Sequence, residues 1–306
     1  MKNVFVSIIN YNGNKNTKEC LHSIEKLNLK DIRLTVIVID NNSKIPFEIP
    51  DSYSKSIAIK VIRSNSNLGF SGGHNLAIKY ALEQNADYVF VLNNDTTLEK
   101  DSLTYLLSPF ETSNNIGITV PKIYFSKGHE FHKDRYKENE LGYVIWYAGG
   151  GINWQTIFGM HRGVDEVDNG QYDTQEKTET ATGCAMLIKK EVFNKIGNFN
   201  EKYFLYYEDQ DFSLRATQVG FSIVYVPKAI VWHLNASSTG GSGSELQDYF
   251  ISRNRMYFGF VYGSIKIKYA LFKESMRLLL SGRKSQKNGI RDFYLGRFKK
   301  GSFLLD

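Results

Sequence analysis

Cysteine is nearly missing from this chain: Cys20 and Cys184 are the only two in 306 residues. Two distant thiols in so long a chain make no disulfide framework, which points to a reducing compartment, the cytoplasm. No run of 18 apolar residues occurs, so no segment is expected to span a membrane. The opening Met1-Lys2-Asn3-Val4 runs straight into a strand pattern and carries no signal-peptide pattern. No internal repeat is present. Neither G-x-G-x-x-G directly after a strand nor G-x-x-x-x-G-K-[ST] occurs, so neither a dinucleotide fingerprint nor a P-loop is supported.

What is there fits a globular α/β protein, as one large domain or two modest ones. Hydrophobic residues make up 42%, an ordinary value, while aromatics reach 14%, with 20 Phe and 19 Tyr. Aromatics suit stacking on sugars or bases, and they are also core material. Charge is unevenly spread. Ile251 to Leu305 holds 13 Lys and Arg against Glu274 and Asp292, a net +11, so the rest of the chain carries −5 of the overall +6. A mildly acidic body with a basic, apolar-rich tail implies an anionic partner, nucleic acid or membrane headgroups. Aromatic runs such as Tyr257 to Tyr262 alternate with Lys and Arg there. That pattern fits a membrane interface, or a pair of packing helices with solvated charges.

Buried-strand patterns and helical periodicities alternate along the first hundred residues. Strands are expected at Val4 to Ile9, Leu34 to Ile39, Ile57 to Ile62 and Tyr88 to Leu92, and helices at Thr17 to Leu27 and Gly72 to Glu83. Tyr88 to Leu92 is apolar without a break, as in the middle of a parallel sheet. Three strands end in polar loops: Asn10-Tyr11-Asn12-Gly13, Asp40-Asn41-Asn42-Ser43 and Asn93-Asn94-Asp95-Thr96. In open α/β sheets ligands bind beyond the carboxyl ends of the strands. Asp95 therefore stands where a metal or phosphate is held, although Asn, Asp and Thr are also ordinary turn residues. Asp40 is placed to accept from a base N–H or a ribose hydroxyl, or to make an Asx turn. The glycine-rich Asn65 to Asn75 permits close backbone approach. Further strands are expected at Gly117 to Pro121, Thr182 to Ile188, Ser222 to Val226 and Ile230 to His233. A turn starts at Pro227, and a flexible loop runs from Ser237 to Ser244.

Two clusters carry possible chemistry in the second half. Glu208, Asp209 and Asp211 follow the aromatic run Tyr203 to Tyr207. Acids at a helix start are favoured by its dipole. A carboxylate walled by Phe204, Tyr206 and Tyr207 is also desolvated, which suits a base. His233 ends an apolar strand, where a structural role is common. Beside Asp95 it gains another meaning, because one carboxylate and one imidazole hold a divalent ion when a diphosphate supplies the other oxygens.

Together these stretches resemble a family-2 glycosyltransferase of the GT-A fold, close to the bacterial rhamnosyltransferase-like branch. The resemblance covers nearly the whole chain and rests on Val6 to Gly13, Val38 to Ser43, Asn67 to Asn75, Leu92 to Thr96, Thr182 to Leu187, Phe204 to Asp211, and His233. It implies a Rossmann-like nucleotide-binding half (1–115), an acceptor and catalytic half (116–244), a mixed central sheet, and a basic helical tail (245–306). It implies that Asn10, Tyr11 and Asp40 hold the donor nucleoside. Asn67, Gly69, Gly72, Gly73, Asn75, Asn93 and Asn94 complete the nucleotide-sugar site. Asp95 and His233 hold Mg²⁺ or Mn²⁺. Asp209 is the general base with Glu208 beside it, and Trp154, His161 and Arg162 shape the acceptor site. The family's Asp-x-Asp motif has Asn93 at its first position here, which weakens metal affinity without donor. The expected reaction inverts the anomeric carbon. It moves a sugar from dTDP-rhamnose or a UDP-sugar to a hydroxyl of a growing, lipid-linked glycan, at the inner face of the cell membrane. No nucleic-acid partner is expected, because no reader motif is present. Alternatives are a sugar-nucleotide-forming nucleotidyltransferase and a non-catalytic nucleotide-sugar or membrane-binding module. Asn10 to Lys15 does not resemble the activation loop of the first, and the intact Glu208-Asp209 pair argues against the second.

Overall fold

The structure is a computed structural model that describes residues 1–50, 53, 57–234 and 243–303. Its sheet begins as the uninterrupted aliphatic runs dictate. β1 (Lys2–Asn10), β2 (Ile32–Asp40), β3 (Ala58–Arg63) and β4 (Tyr88–Asn93) lie parallel in the order β3-β2-β1-β4. α1 (Asn14–Ile24) crosses from β1 to β2, and α2 (Gly69–Glu83) from β3 to β4. Parallel neighbours require such crossovers. Both helices start three residues earlier than their periodicity predicts, because the turn residues Asn14 and Gly69 already take helical hydrogen bonding.

The sheet turns mixed beyond β4. Val89, Phe90, Val91 and Leu92 are fully buried. On one side β4 meets β1 in parallel, but on the other it meets β11 (Ala185–Lys189) antiparallel. The expectation of a strand inside a purely parallel sheet is therefore half right, since continuous apolar runs report burial on both faces and not strand direction. After β4 the chain turns through β5 (Thr96–Leu98) and α3 (Ser102–Leu107) into β6 (Ile116–Phe125). β11 pairs antiparallel with β6, and β6 pairs parallel with β12 (Ser222–His233). The two strands expected around Pro227 are one. Proline cannot donate to a ladder, and a register shift between Val226 and Ile230 absorbs it.

Smaller elements decorate this frame. β7 (Ile145–Tyr147) pairs with β6. β8 (Gly150–Asn153) and β9 (Phe158–His161) form a separate hairpin, and β10 (Glu176–Thr178) edges β12. α4 (Lys190–Ile196) ends at Gly197, whose φ of +73° suits a helix-terminating glycine. α5 (Glu208–Gln218) follows. The basic tail is helical: α6 (Glu245–Tyr262), α7 (Ile265–Ser281) and α8 (Lys284–Tyr294). α6 is cemented to the body by a second apolar cluster that joins Met256 and Phe258 to Tyr203 and Tyr207. α7 buries only Leu271 and Ser275. Of the loop expected at Ser237 to Ser244, residues 237–242 lie outside the described residues.

Candidate active site

Strand register assembles the first wall. Asn10 stands opposite Asp40, and Ile9 opposite Asn93, so the carboxyl ends of β1, β2 and β4 meet at one edge. The side chains there bind one another. Asn10 donates to Asn14 Oδ1 (2.8 Å) and Ser43 Oγ (3.0 Å) and accepts from Thr17 Oγ1 (2.8 Å). Asn94 donates to Thr17 Oγ1 (2.9 Å). Asp40 is buried and accepts from the Ser43 and Phe47 N–H groups and from Arg63. Burial pushes its carboxyl up, but the Ser43 and Phe47 bonds and Arg63 outweigh that and hold it below the usual range. The turn expected as the alternative for Asp40 is thus formed.

The glycine loop follows the same economy. Asn67 Oδ1 accepts from Asn41 Nδ2 (3.0 Å) and the Gly69 N–H (2.9 Å). A methyl group at Gly72 would come within 2.8 Å of Leu68 Cβ, and one at Gly73 within 2.7 Å of Ile9 Cδ1. Those two glycines allow close packing of the helix start. Gly69, at φ +70°, would put a methyl 2.4 Å from the Phe204 carbonyl oxygen. That carbonyl accepts from the Phe70 N–H (2.7 Å) at the start of α2. Asn75 is turned from the donor edge, giving and taking hydrogen bonds with the Phe199 backbone (3.0 Å each). A cleft of about 520 Å³ opens between Tyr11, Asn42, Asn67 and Phe204, and Lys299 and Lys300 line it as well.

The second wall joins Asp95 to His233. β5 folds back on the end of β12 with Thr96 opposite His233. This brings Asp95 Oδ1 within 3.2 Å of His233 Nε2, both side chains buried. Burial alone would lower the His233 pKa, but Cys184 and Asp95 beside it outweigh burial and raise it to about 10. His233 Nδ1 is buried without a partner, the kind of polar atom that a further ligand satisfies. A carboxylate and an imidazole are ligand types that a divalent cation takes, but a cation here would have to displace the proton that Cys184 and Asp95 hold on His233. Among the described residues no third His, Cys, Asp or Glu completes a site, so a cation held here would need further ligands from substrate or water.

The acceptor candidates divide. The Trp146 ring lies edge-on between His161 (4.4 Å) and His233 (4.8 Å). Burial, with His233 close by, lowers the His161 pKa to about 4, so its imidazole is neutral. Trp154, in the β8–β9 turn, keeps 37% exposure and donates to Glu179 Oε1 (2.9 Å). Arg162 is not brought to this wall. It bonds the Ala148 carbonyl (2.7 Å), pairs with Glu176 and stacks on Tyr172 and Tyr225. β9 ends at His161, and Arg162 begins the turn that follows it.

The third wall is the start of α5. Glu208 is buried, its Oε2 has no partner, and burial with Asp209 alongside pushes its pKa well above the usual range. Asp209 keeps partial exposure. Its Oδ2 accepts from the Gly183 N–H (3.0 Å) and its Oδ1 from the Gln210 N–H (2.8 Å). Burial raises its pKa against those bonds. Asp211 faces away and binds Tyr262, Tyr203 and Arg215. The next residue after Gly183 ties this wall to the previous one, for the Cys184 carbonyl accepts from the Asn93 N–H (2.9 Å).

A base-like carboxylate, a carboxylate–imidazole pair and an open cleft thus share one end of a mixed α/β sheet. The sequence profile described as "Glycosyl transferase family 2" matches residues 5–197. The chain belongs to that family. This glycosyltransferase is 27% identical over 251 residues to a low-salt glycan biosynthesis hexosyltransferase of Haloferax volcanii, covering 82% of its own length and 73% of the relative's. It is 23% identical over 232 residues to a dTDP-rhamnosyl transferase of Shigella flexneri, covering 76% and 69%. A crystal structure of GalNAc-T7 with UDP, GalNAc and Mn²⁺ superposes with a TM-score of 0.59 at 16% identity, across 91% of this chain and 57% of that one. The fold of the glycosyltransferase is GT-A.

Four contributions escaped the sequence pattern. Lys299 and Lys300 reach the cleft from the far end of the chain, where nothing local marks them. Gly183 seats Asp209 through its N–H, and Trp146 buttresses His233 from a glycine- and aromatic-rich stretch whose composition was the only sign.

Proposed function

We propose that this family-2 glycosyltransferase is inverting and metal-dependent. It moves a sugar from dTDP-rhamnose or a UDP-sugar to a hydroxyl of a growing, lipid-linked cell-surface glycan. The observation that carries this reading is the Gly183-Cys184 segment. Its N–H seats Asp209 and its next carbonyl accepts from Asn93, at the strand end that leads to Asp95, so one two-residue segment ties the proposed base to the candidate metal ligands.

Donor binding falls to the cleft. Tyr11 and Asn67 line its nucleoside end with Asn10 and Asp40 supporting them from behind, and Lys44, Lys299 and Lys300 supply positive charge for a diphosphate. Gly69, Gly72, Gly73, Asn93 and Asn94 shape the backbone around the sugar. Asp95 and His233 would hold Mg²⁺ or Mn²⁺. That ion, when bound, offsets the negative charge that builds on the leaving diphosphate. Asn93, with no charge of its own, leaves metal affinity dependent on the donor. Asp209 accepts the proton of the acceptor hydroxyl as the hydroxyl attacks the face opposite the leaving group, and the configuration inverts. Burial and the neighbouring carboxylate push the Glu208 pKa well up, while two N–H groups hold down that of Asp209, which favours Asp209 as the charged member of the pair. Trp154 and His161 border the acceptor, while Arg162 braces the strand that carries His161. The donor half ends near residue 115, the acceptor half near 244, and the helical tail serves docking.

The rhamnosyl and hexosyl transfers named for the relatives support the donor class. A relative from Mycobacterium tuberculosis, 42% identical over 59 residues, is an N-acetylglucosaminyl-diphospho-decaprenol rhamnosyltransferase, which supports a lipid-linked acceptor. Among the described residues no helix is long and apolar enough to cross a membrane. α7 instead exposes Ile265, Tyr269, Phe272 and Leu280 in one stripe flanked by Lys266, Lys273 and Arg277. Such a face docks to anionic lipid at the cytoplasmic surface.

Calorimetric titration of dTDP-rhamnose, UDP-glucose and UDP-N-acetylglucosamine, with and without Mn²⁺, tests the donor site. Tight binding of one donor only with metal is expected. If none binds with metal present, the donor-site assignment fails.

A further inference from the structure

Residues 203–207 are bent in a way that amino acids other than glycine resist. Phe204, Tyr206 and Tyr207 have φ of +67°, +67° and +75°. Such backbone persists where its surroundings over-determine it, and it clusters at functional sites. The loop ends on Glu208 and Asp209.

Every backbone carbonyl from 202 to 206 has a partner, and most of those partners are two neighbouring side chains on α6. Asn254 Nδ2 donates to the carbonyls of Tyr203 (2.9 Å), Leu205 (2.7 Å) and Tyr206 (2.9 Å). Arg253 Nη2 donates to those of Tyr203 (2.8 Å) and Lys202 (3.3 Å), and its Nη1 to that of Lys299 (2.7 Å). Arg253 Nε donates to Asn254 Oδ1 (3.0 Å), which fixes the amide so that its NH₂ faces the loop. The remaining carbonyl, Phe204, caps α2. Both side chains are fully buried, and the guanidinium lies 5.0 Å from the Phe250 ring centre and 5.5 Å from that of Tyr249. No carboxylate hydrogen-bonds this guanidinium among the described residues, although Asp292 acts on its charge from nearby. Its bonds go to the three carbonyls, the Asn254 amide and Tyr249.

We infer that Arg253 and Asn254 are positioning residues. From α6 they hold the bent loop, and through it they set where the Asp209 carboxylate stands. Three carbonyls converge on one amide only because the backbone curls. Without the amide the Tyr203 carbonyl would keep Arg253 and the Leu205 N–H, but those of Leu205 and Tyr206 would be left short of a donor in a half-buried place, and the loop would unbend to reach water. Asp209 itself is seated by just two N–H groups, one of them from its own helix, so its position follows the loop. The inference rests on the reading of Asp209 as the base.

Asn254→Ala, Arg253→Lys and Asp209→Asn test it together. The assay is hydrolysis of the nucleotide sugar of the calorimetric panel that the wild-type protein binds, water standing in for the acceptor. Asn254→Ala should lower kcat about 10²-fold, the effect of a displacement near 1 Å, with donor Kd within about twofold of wild type. Its 204–209 amides should exchange faster, and the acid limb of its pH profile should move to lower pH as water reaches Asp209. Arg253→Lys keeps the cation but cannot orient the amide and bridge the carbonyls at once. Because Arg253 also holds the Lys299 carbonyl at the rim of the cleft, its donor Kd should rise too, so this variant is read by kcat at saturating donor, which should still fall, and it carries the test if Asn254→Ala does not fold. Wild-type kcat in the folded variants, or a loss that only tracks donor affinity, overturns the positioning role while inactive Asp209→Asn leaves the base in place. Full activity in Asp209→Asn overturns the base reading and the catalytic consequence of the clamp with it.

Discussion

Glu208 and Asp209 are adjacent in the chain but stand in different media. Glu208 is enclosed, with one oxygen unpartnered, and its neutral form is the stable one. Asp209 keeps partial exposure and is stabilised as an anion by two N–H groups, yet burial still raises its pKa. A base works deprotonated. The acid limb of kcat/KM should therefore lie above the ordinary aspartate range, with activity falling about tenfold per pH unit below it. Because the two carboxyls interact, the observed value belongs to the pair. A profile measured from pH 4 to pH 8 checks this, and an acid limb at or below the usual aspartate value would remove burial as the tuning force. The acidic cluster was legible because an aromatic run preceding three acids is unusual, but only the family resemblance singled out Asp209 among them. The partners of Asp40 were only half legible. An Asx turn and a nucleoside contact call for the same residue in the same place, and only the Ser43, Phe47 and Arg63 contacts show what the carboxylate binds here.

Among the elements, α2 and the loop at 203–207 are locked through Gly69. Alanine at Gly69 meets a positive φ and the Phe204 carbonyl together. Gly197 has a similar φ, +73°, with nothing within 4 Å. Gly197→Ala should cost roughly 1–2 kcal/mol, the strain of a left-handed residue. Gly69→Ala should cost more, and it should also lower turnover, since Phe204 must move. Thermal unfolding of both variants gives the difference, and equal losses would mean that the carbonyl yields freely. The strands, the first helices and the glycine loop could be read from apolar runs and turn chemistry because those signals are local. The antiparallel entry of β11 beside β4 and the fusion of two expected strands into β12 could not. Both depend on which segments meet after the chain has travelled about a hundred residues, and periodicity carries no such information.

For the whole molecule, the tail is two things at once. α6 is built into the body, while α7 offers Ile265 at 85% and Leu280 at 82% exposure beside its cations. Ile265→Ser with Tyr269→Ser and Leu280→Ser should weaken binding to phosphatidylglycerol vesicles at least about tenfold, from lost apolar burial. Donor hydrolysis in solution should not change. Sedimentation with vesicles at two salt concentrations checks both, and salt should weaken binding further. The same tail completes the cleft proposed for the donor, since Arg253 grips the Lys299 carbonyl and the next residue along is Lys300. Composition marked the tail as basic and nothing more. A cleft lined by both residue 11 and residue 299 has no local signature. That shared lining also fixes a schedule. Tyr11 leaves the ribosome early and Lys299 late, an interval of roughly 15–60 s at ordinary synthesis rates. Throughout it, the cleft proposed for the donor has Tyr11 and Lys44 but lacks Lys299 and Lys300, so if the donor binds there its capture waits for the end of translation.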